Sequence, residues 1–195
     1  ARLMLLGNHD VFGMPEGGAA VEDGTIYVAD TKQDKVQVFS STGTFIKELG
    51  PKLKQPRGVA AAGGRVAVSD TGKDRVLVLS ASSGQILLTL SGFKEPAGVA
   101  FGPQGRIYVA DAGRHRVLVY DAAGAQLLAF DLPAAASDDD GSRNGRPEAV
   151  AVDAAGKIYV ADSKGRRALV FSSRPFWALT PIRAGVKVGD SGSAG

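Results

Sequence analysis

Residues 95–132 read EPAGVAFGPQGRIYVADAGRHRVLVYDAAGAQLLAFDL, a unit of four short apolar runs separated by turn residues. The unit opens with a Pro-x-Gly-Val motif at Pro96, its second run ends at Asp111, and its third run begins at Arg116. Closely similar units recur around it. The aspartates that end the second runs are Asp30, Asp70, Asp111 and Asp162, which are 40, 41 and 51 residues apart. A period near forty residues with four short strands per unit predicts the blades of a β-propeller.

The composition is that of an ordinary globular protein. The chain has 195 residues, of which 44% are hydrophobic and 22% are charged, as in ordinary globular domains. It contains no cysteine, which excludes disulfides and thiolate metal sites. No run approaches the roughly 18 apolar residues of a membrane span, so we expect none. The net charge of +3 is compatible with an acidic partner but does not require one, and no pattern indicates a compartment.

The repeat predicts an all-β fold of four-stranded antiparallel blades. The second and third runs of each unit are rich in β-branched and aromatic residues, as in strands that neighbouring blades cover on both faces. The predicted blades span residues 14–50, 55–92, 95–132 and 146–180. We interpret residues 1–13 as the outer strand of a preceding blade followed by a connection. Residues 133–146 are predicted to form an exposed excursion, and residues 181–195 a flexible tail.

Four blades and one orphan strand do not by themselves make a ring, and an open array leaves an apolar face bare at each end. Burial of one aliphatic side chain contributes about 1.5–3 kcal/mol, so a bare face forfeits on the order of 10 kcal/mol. Such an arc should not be stable alone. We therefore expect further blades, a partner that covers the open faces, or tight closure of the four blades.

The string IYVAD-x-x-x-x-[RK]-V-x-V-[FY], preceded by P-x-G-V-A, resembles the NHL repeat over roughly residues 14–173. The resemblance implies a β-propeller, commonly six-bladed, that serves mostly as a platform for protein or RNA binding. The family often has Asn-His at the tip between the second and third strands. This chain instead has Gln33-Asp34, Lys73-Asp74, Arg114-His115 and Gly165-Arg166 at those tips.

The repeated aspartates could suggest a metal or acid–base site. A structural role is favoured for Asp30, Asp70, Asp111 and Asp162, because an aspartate that opens a tight turn accepts hydrogen bonds from backbone N–H groups just beyond it. One such residue at the same place in every blade is typical of turn chemistry.

No other pattern predicts catalysis. His9 lies in a connection and His115 at a tip, without the three or four ligands that zinc needs. There is no G-x-S-x-G motif and no cysteine nucleophile. Some propellers that resemble NHL proteins are lyases with histidines facing the channel, but the strands predicted to face the channel here show no histidine or carboxylate. We predict no catalytic residue, no metal and no cofactor.

Basic residues concentrate at the tips between the second and third strands. Such tips project from one face of a propeller, where a cluster of cations would bind carboxylates or phosphates. The predicted binding residues are Lys73, Arg75, Arg114, His115, Arg116, Arg166 and Arg167. An ordinary solvated rim is the alternative interpretation. RNA is less favoured than an acidic protein segment, because no aromatic side chain falls at the tips to stack on bases.

These observations favour a non-enzymatic protein-interaction scaffold that uses its basic face. Two alternatives stay open at this point. One is a metal-dependent lyase or lactonase of the propeller type, with its ligands on blades not present in this sequence. The other is an architectural subunit of a larger assembly.

Overall fold

A computed structural model describes residues 12–134 and 145–172, and within these ranges the regular structure is strands and one-turn 3-10 helices. Each blade is an antiparallel sheet whose strands follow chain order from the centre outward. Blade 1 comprises β1 (Pro15–Ala20), β2 (Ile26–Asp30), β3 (Lys35–Phe39) and β4 (Phe45–Leu49). Blade 2 comprises β5 (Pro56–Ala62), β6 (Arg65–Asp70), β7 (Arg75–Ser80) and β8 (Ile86–Leu90). Blade 3 comprises β9 (Pro96–Phe101), β10 (Ile107–Asp111), β11 (Arg116–Tyr120) and β12 (Gln126–Asp131).

Blade 4 has three strands in the described part, namely β13 (Pro147–Val152), β14 (Ile158–Asp162) and β15 (Arg167–Phe171). The all-β propeller fold predicted from the repeat is therefore confirmed. The predicted orphan strand, the fourth outer strand near residues 176–180 and the tail at 181–195 lie outside the described residues. So do residues 135–144 of the predicted excursion.

Apolar side chains between consecutive blades form the core. Every strand alternates its side chains between two faces, so each blade has a trailing face toward the next blade and a leading face toward the previous one. Tyr27 and Val38 on the trailing face of blade 1 pack against Val68 and Leu79 on the leading face of blade 2. Similar clusters join blades 2 and 3 and blades 3 and 4. The core is thus a series of sheet-to-sheet contacts, which explains the nearly continuous apolar runs in the sequence.

Glycines allow the innermost strands to approach closely. A Cβ atom on Gly58 would lie 2.3 Å from the carbonyl oxygen of Ala97 in the next blade. A Cβ atom on Gly98 would lie 2.7 Å from the Cα atom of Ala149. The inner strands converge around the channel at a distance that excludes a side chain at these positions, which explains the Pro-x-Gly-Val motif of the repeat.

Blade 4 leaves its trailing face open in the described part of the chain. Tyr108 of blade 3 is 2% exposed because blade 4 covers it, whereas its counterpart Tyr159 in blade 4 is 39% exposed. The neighbouring alanines of this face, Ala149, Ala151, Ala161 and Ala168, are also exposed. The described residues include no helix that is both long and apolar enough to cross a membrane.

Candidate interaction surface at the hairpin tips

Four hairpins join the second and third strands of the blades, at residues 31–34, 71–74, 112–115 and 163–166. Each contacts the connection that enters its own blade, through hydrogen bonds such as Gly72 N–H to the Lys54 carbonyl at 2.9 Å and Gly113 N–H to the Lys94 carbonyl at 2.9 Å. The hairpins and the connections between blades therefore share one surface, which we call the tip face.

A buried aspartate anchors every tip. Asp70 and Asp111 are fully buried, and each accepts a backbone N–H from the connection entering its blade, from Lys54 at 2.6 Å and from Lys94 at 2.7 Å. Asp162 accepts the corresponding N–H of Arg146 at 2.7 Å, and also the N–H of Gly165 within its own turn at 2.9 Å. The carboxylate thus ties the tip to a segment 16 or 17 residues earlier, a contact that local turn chemistry does not predict.

An arginine five residues after the aspartate completes the anchor in three blades. The Nε atoms of Arg75, Arg116 and Arg167 donate to Asp70, Asp111 and Asp162 at 2.7, 2.8 and 2.9 Å. Arg116 also donates to the Gly92 carbonyl at 3.0 Å and Arg167 to the Ala134 carbonyl at 3.2 Å. These three arginines, all predicted as binding residues, have their guanidinium groups engaged within the protein.

Blade 1 has the aspartate but lacks the arginine. Lys35 occupies the arginine position and pairs with Glu48 at 2.7 Å instead. Asp30 is held by the N–H groups of Gly13 and Met14 at 2.8 and 3.0 Å. The Gln37 amide also donates to Asp30 at 3.4 Å.

The last residue of each tip adopts a left-handed backbone conformation and, in the first three blades, fastens the tip to the next blade. The carboxylates of Asp34 and Asp74 accept the N–H groups of Gln55 and Glu95, both at 2.7 Å. At the third tip the side chain is the hydrogen-bond donor rather than the acceptor, because the Nδ1 of His115 donates to the Gly145 carbonyl at 2.9 Å. Histidine at this tip is therefore explained by a contact between blades.

The exposed members of the predicted set are Lys73, Arg114 and Arg166. Lys73 donates to the Lys52 carbonyl at 2.6 Å, and the Arg114 guanidinium donates to the Gly92 carbonyl. The side chain of Arg166 has no partner among the described residues. The seven predicted residues thus divide into three anchored arginines, one half-buried histidine and three exposed cations.

A chain of ion pairs surrounds the tip-face mouth of the channel, where a cavity of about 460 Å³ is lined by the inner strands. Arg57 of blade 2 lies 2.7 Å from Glu16 of blade 1 and 3.0 Å from Glu148 of blade 4, the latter with ion-pair rather than hydrogen-bond geometry. Arg146 joins Glu148 at 2.6 Å to Glu95 at 2.9 Å, and its hydrogen bond to Glu148 raises the pKa of Arg146. The expectation that the channel strands carry no carboxylate was wrong, since Glu16 and Glu148 lie on β1 and β13.

Within residues 12–134 and 145–172, no three His, Cys, Asp or Glu side chains group as they would around a metal ion. The chemistry of the tip face is therefore that of charged hydrogen-bond donors on a rigid frame. Two signals in the sequence pointed to that frame. One is the Asp-x-x-x-x-Arg spacing, which recurs in three blades, and the other is the Asp at the last tip position of blades 1 and 2.

Two known families have sequence models that match segments of this chain. The NHL repeat matches residues 93–120, and the N-terminal region of strictosidine synthase-like proteins matches residues 138–166. No curated protein sequence matches the chain.

Solved structures of propellers are similar to the chain in fold. Virginiamycin B lyase from Staphylococcus aureus superposes with a TM-score of 0.69 at 12% identity, over 89% of this chain and 57% of the lyase. The WD40 propeller domain of Doa1 gives a TM-score of 0.67 at 17% identity, over 83% of this chain and 51% of that one. The computationally designed protein Ika4 gives 0.63 at 17% identity, over 88% of this chain and 98% of Ika4. The chain therefore spans little more than half the length of the lyase and WD40 structures, and at these identities the likeness concerns the fold.

Proposed function

We propose that this chain, an array of NHL-repeat β-propeller blades, acts as a non-catalytic scaffold that binds an acidic protein segment on its tip face. The observation that carries the proposal is the combination of anchored tips and exposed cations. Asp70, Asp111 and Asp162 hold three tips in place, and the exposed cations on these tips are Lys73, Arg114 and Arg166. A rigid surface with exposed cations loses little entropy on binding carboxylates, which supports recognition of an extended acidic segment.

Aromatic placement supports a protein rather than RNA as the partner. Single-stranded RNA is bound largely by stacking of bases on exposed aromatic rings. Tyr108 and Tyr120 of blade 3 are 2% and 5% exposed and pack between blades, so neither offers a ring at the tip face. Charge-assisted contacts to carboxylates require only the exposed cations.

Charge reversal tests the proposal with polyglutamate as the acidic probe. The triple variant Lys73→Glu, Arg114→Glu and Arg166→Glu should weaken binding by at least about tenfold, because each lost charge-assisted contact is worth on the order of 1 kcal/mol. Arg166→Glu and Lys157→Glu form a matched pair, since both change the charge of blade 4 equally but at opposite ends of its strands.

Only Arg166→Glu should weaken binding. Equal effects of the pair would mean that net charge rather than the tip face attracts the probe. Tighter binding of an oligouridylate of equal length than of polyglutamate would favour RNA instead.

A second candidate is a propeller enzyme, which the similarity in fold to virginiamycin B lyase favours. Its metal ligands would have to lie outside the described residues. Elemental analysis of the purified protein distinguishes the candidates, because a stoichiometric metal that survives dialysis would favour the enzyme.

A third candidate is an architectural subunit, which the open trailing face of blade 4 favours. Tyr159 and the surrounding alanines form an apolar sheet face of the kind that is buried between the other blades. Light scattering on the full chain tests this candidate. A monomer with a cooperative thermal transition would contradict it, whereas a defined oligomer that Ala161→Glu dissociates would support it.

A further inference from the structure

A groove opens between consecutive blades at the end of the strands opposite the tip face. Between blades 2 and 3 this groove is filled by Arg65, the first residue of β6. Its guanidinium donates to the carbonyls of Gly105 and Ala122, both at 3.1 Å, and lies 5.1 Å from the centroid of the Phe101 ring. The protein thus shows how a guanidinium group fits such a groove, with two carbonyl acceptors and one aromatic face.

The corresponding groove between blades 1 and 2 is open, with a cavity of about 630 Å³. Thr25 precedes β2 at the position that Arg65 has in blade 2, and its side chain is too short to fill the space. Ala61, Gly64 and Ala81 take the places of Phe101, Gly105 and Ala122 in the wall formed by the following blade. A cavity of this size is within the range of small-ligand sites.

The open groove has the chemistry of a cation site. Tyr27 lines the cavity from the wall opposite Ala61, although only 5% of its surface is accessible because it packs between blades 1 and 2. Its hydroxyl has no hydrogen-bond partner among the described residues. Burial, and secondarily the charge of Asp23, raises the pKa of Tyr27, so the hydroxyl stays neutral and can accept a hydrogen bond from a cation.

Two acidic residues and Arg65 line the cavity, and Lys47 contacts one of its walls. Glu22 and Asp23 lie at its rim, and the hydrogen bond from the Thr25 N–H lowers the pKa of Asp23, which keeps it ionised. Lys47 donates to the Ala81 and Ser82 carbonyls from the outer side at 3.0 and 2.6 Å. The Gly64 carbonyl accepts the Ala81 N–H at 2.9 Å. Because a carbonyl oxygen has two lone pairs, Gly64 and Ala81 can each accept one more donor.

We propose that the groove between blades 1 and 2 binds the guanidinium group of an arginine side chain from a basic peptide. We choose arginine as the ligand because the Arg65 side chain fills the equivalent groove between blades 2 and 3. Lysine would supply a single charged point, whereas the planar fork of arginine can donate to two carbonyls at once. The site faces away from the tip face, so it is independent of the acidic partner proposed above.

Titration calorimetry of the full chain with Nα-acetylarginine amide tests the proposal directly. The neutral isostere Nα-acetylcitrulline amide is the ligand control, and it should bind at least about tenfold more weakly because it lacks the charge. Thr25→Arg should abolish binding, since its own guanidinium would occupy the groove as Arg65 does. Equal binding of both ligands, or unchanged binding to a folded Thr25→Arg protein, would overturn the proposal.

A second pair of variants keeps the test valid if Thr25→Arg fails to fold. Asp23→Asn retains the acceptor for the Thr25 N–H but removes the charge at the groove. Asp153→Asn is the matched control, because Asp153 accepts the Lys157 N–H at 2.8 Å in the equivalent turn of blade 4. Weaker arginine binding in Asp23→Asn alone, by about threefold to tenfold, supports the site. Equal weakening in both variants, or no binding to the wild-type protein, rejects it.

Discussion

The Nε atom of Arg116 donates to the fully buried carboxylate of Asp111 at 2.8 Å, five residues earlier in the chain. The same pair recurs between Arg75 and Asp70 and between Arg167 and Asp162. Since the other oxygen of each carboxylate accepts an N–H from the connection into the blade, each pair joins a tip to its connection. Residues that resemble a basic binding patch in the sequence are therefore partly a repeated structural device.

Removing the arginine of this pair should destabilise the fold. Arg116→Ala would leave the Asp111 carboxylate buried with one donor fewer, and we expect a loss of about 2 kcal/mol, reduced by solvent around the 28% exposed arginine. Lys35→Ala is the control at the equivalent position of blade 1, where the partner Glu48 is exposed, and it should cost about 0.5 kcal/mol. Urea denaturation measures both, and similar losses would contradict the anchoring role.

Close packing of the inner strands predicts opposite effects for two glycines. In Gly58→Ala the new Cβ would lie 2.3 Å from the Ala97 carbonyl oxygen, and we expect a loss of about 2 kcal/mol from the forced separation of blades 2 and 3. In Gly18→Ala the nearest atom would be 3.9 Å away, so the variant should be neutral or slightly more stable. Thermal melts compare the two, and equal melting temperatures would argue against strand contact at the channel.

A buried hydroxyl without a partner predicts a stabilising substitution. Ser69 is fully buried between blades 2 and 3, and its Oγ has no hydrogen-bond partner within residues 12–134 and 145–172. The equivalent residues of the other blades are Ala29, Ala110 and Ala161. Ser69→Ala should therefore raise the free energy of unfolding by about 1 kcal/mol, since it removes an uncompensated polar group. A decrease measured by urea denaturation would indicate that an ordered water satisfies the hydroxyl.

Acid should weaken the turn that begins blade 4's second strand. The Lys157 N–H hydrogen bond lowers the pKa of Asp153 below its usual value of 3.8, so the folded state binds the proton less tightly than the unfolded chain. The stabilisation is therefore present above pH 3.8 and is lost as the pH falls through the lower, folded-state pKa. The stability difference between the wild type and Asp153→Asn should shrink over this interval in melts at a series of pH values. A difference that stays constant with pH would exclude the linkage.

The four repeated units and their strand order follow from the sequence because the repeat is local. Each unit contains its own turns and its own apolar runs, so the hairpins of a blade such as β9 to β12 can be assigned without knowledge of the neighbouring blades. The resemblance to the NHL repeat rests on the same local strings. Turn residues such as Asp111 are visible in the sequence for the same reason.

The long-range partners of the charged residues could not be predicted from the repeat. Asp111 accepts the backbone N–H of Lys94, 17 residues earlier. Arg57 forms ion pairs with Glu16 and Glu148, each of which is 41 residues or more from Arg57 along the chain. Such pairs exist only because the blades converge on a common channel. The carboxylates of the channel mouth were missed because Glu16 and Glu148 each follow a proline at the start of a strand, where the sequence pattern does not distinguish a channel residue from a loop residue.

The sequence alone therefore determined the all-β propeller, the four repeated units and the concentration of cations at the tips, because each is encoded within one repeat of about forty residues. Tertiary structure decided how the tips are anchored, because Asp70, Asp111 and Asp162 also accept N–H groups from connections that lie 16 or 17 residues earlier in the chain. It also decided that Arg65 fills one groove while Thr25 leaves the equivalent groove open. Thr25 and Arg65 have the same position in the repeat, and the effect of this substitution depends on the wall that the following blade supplies.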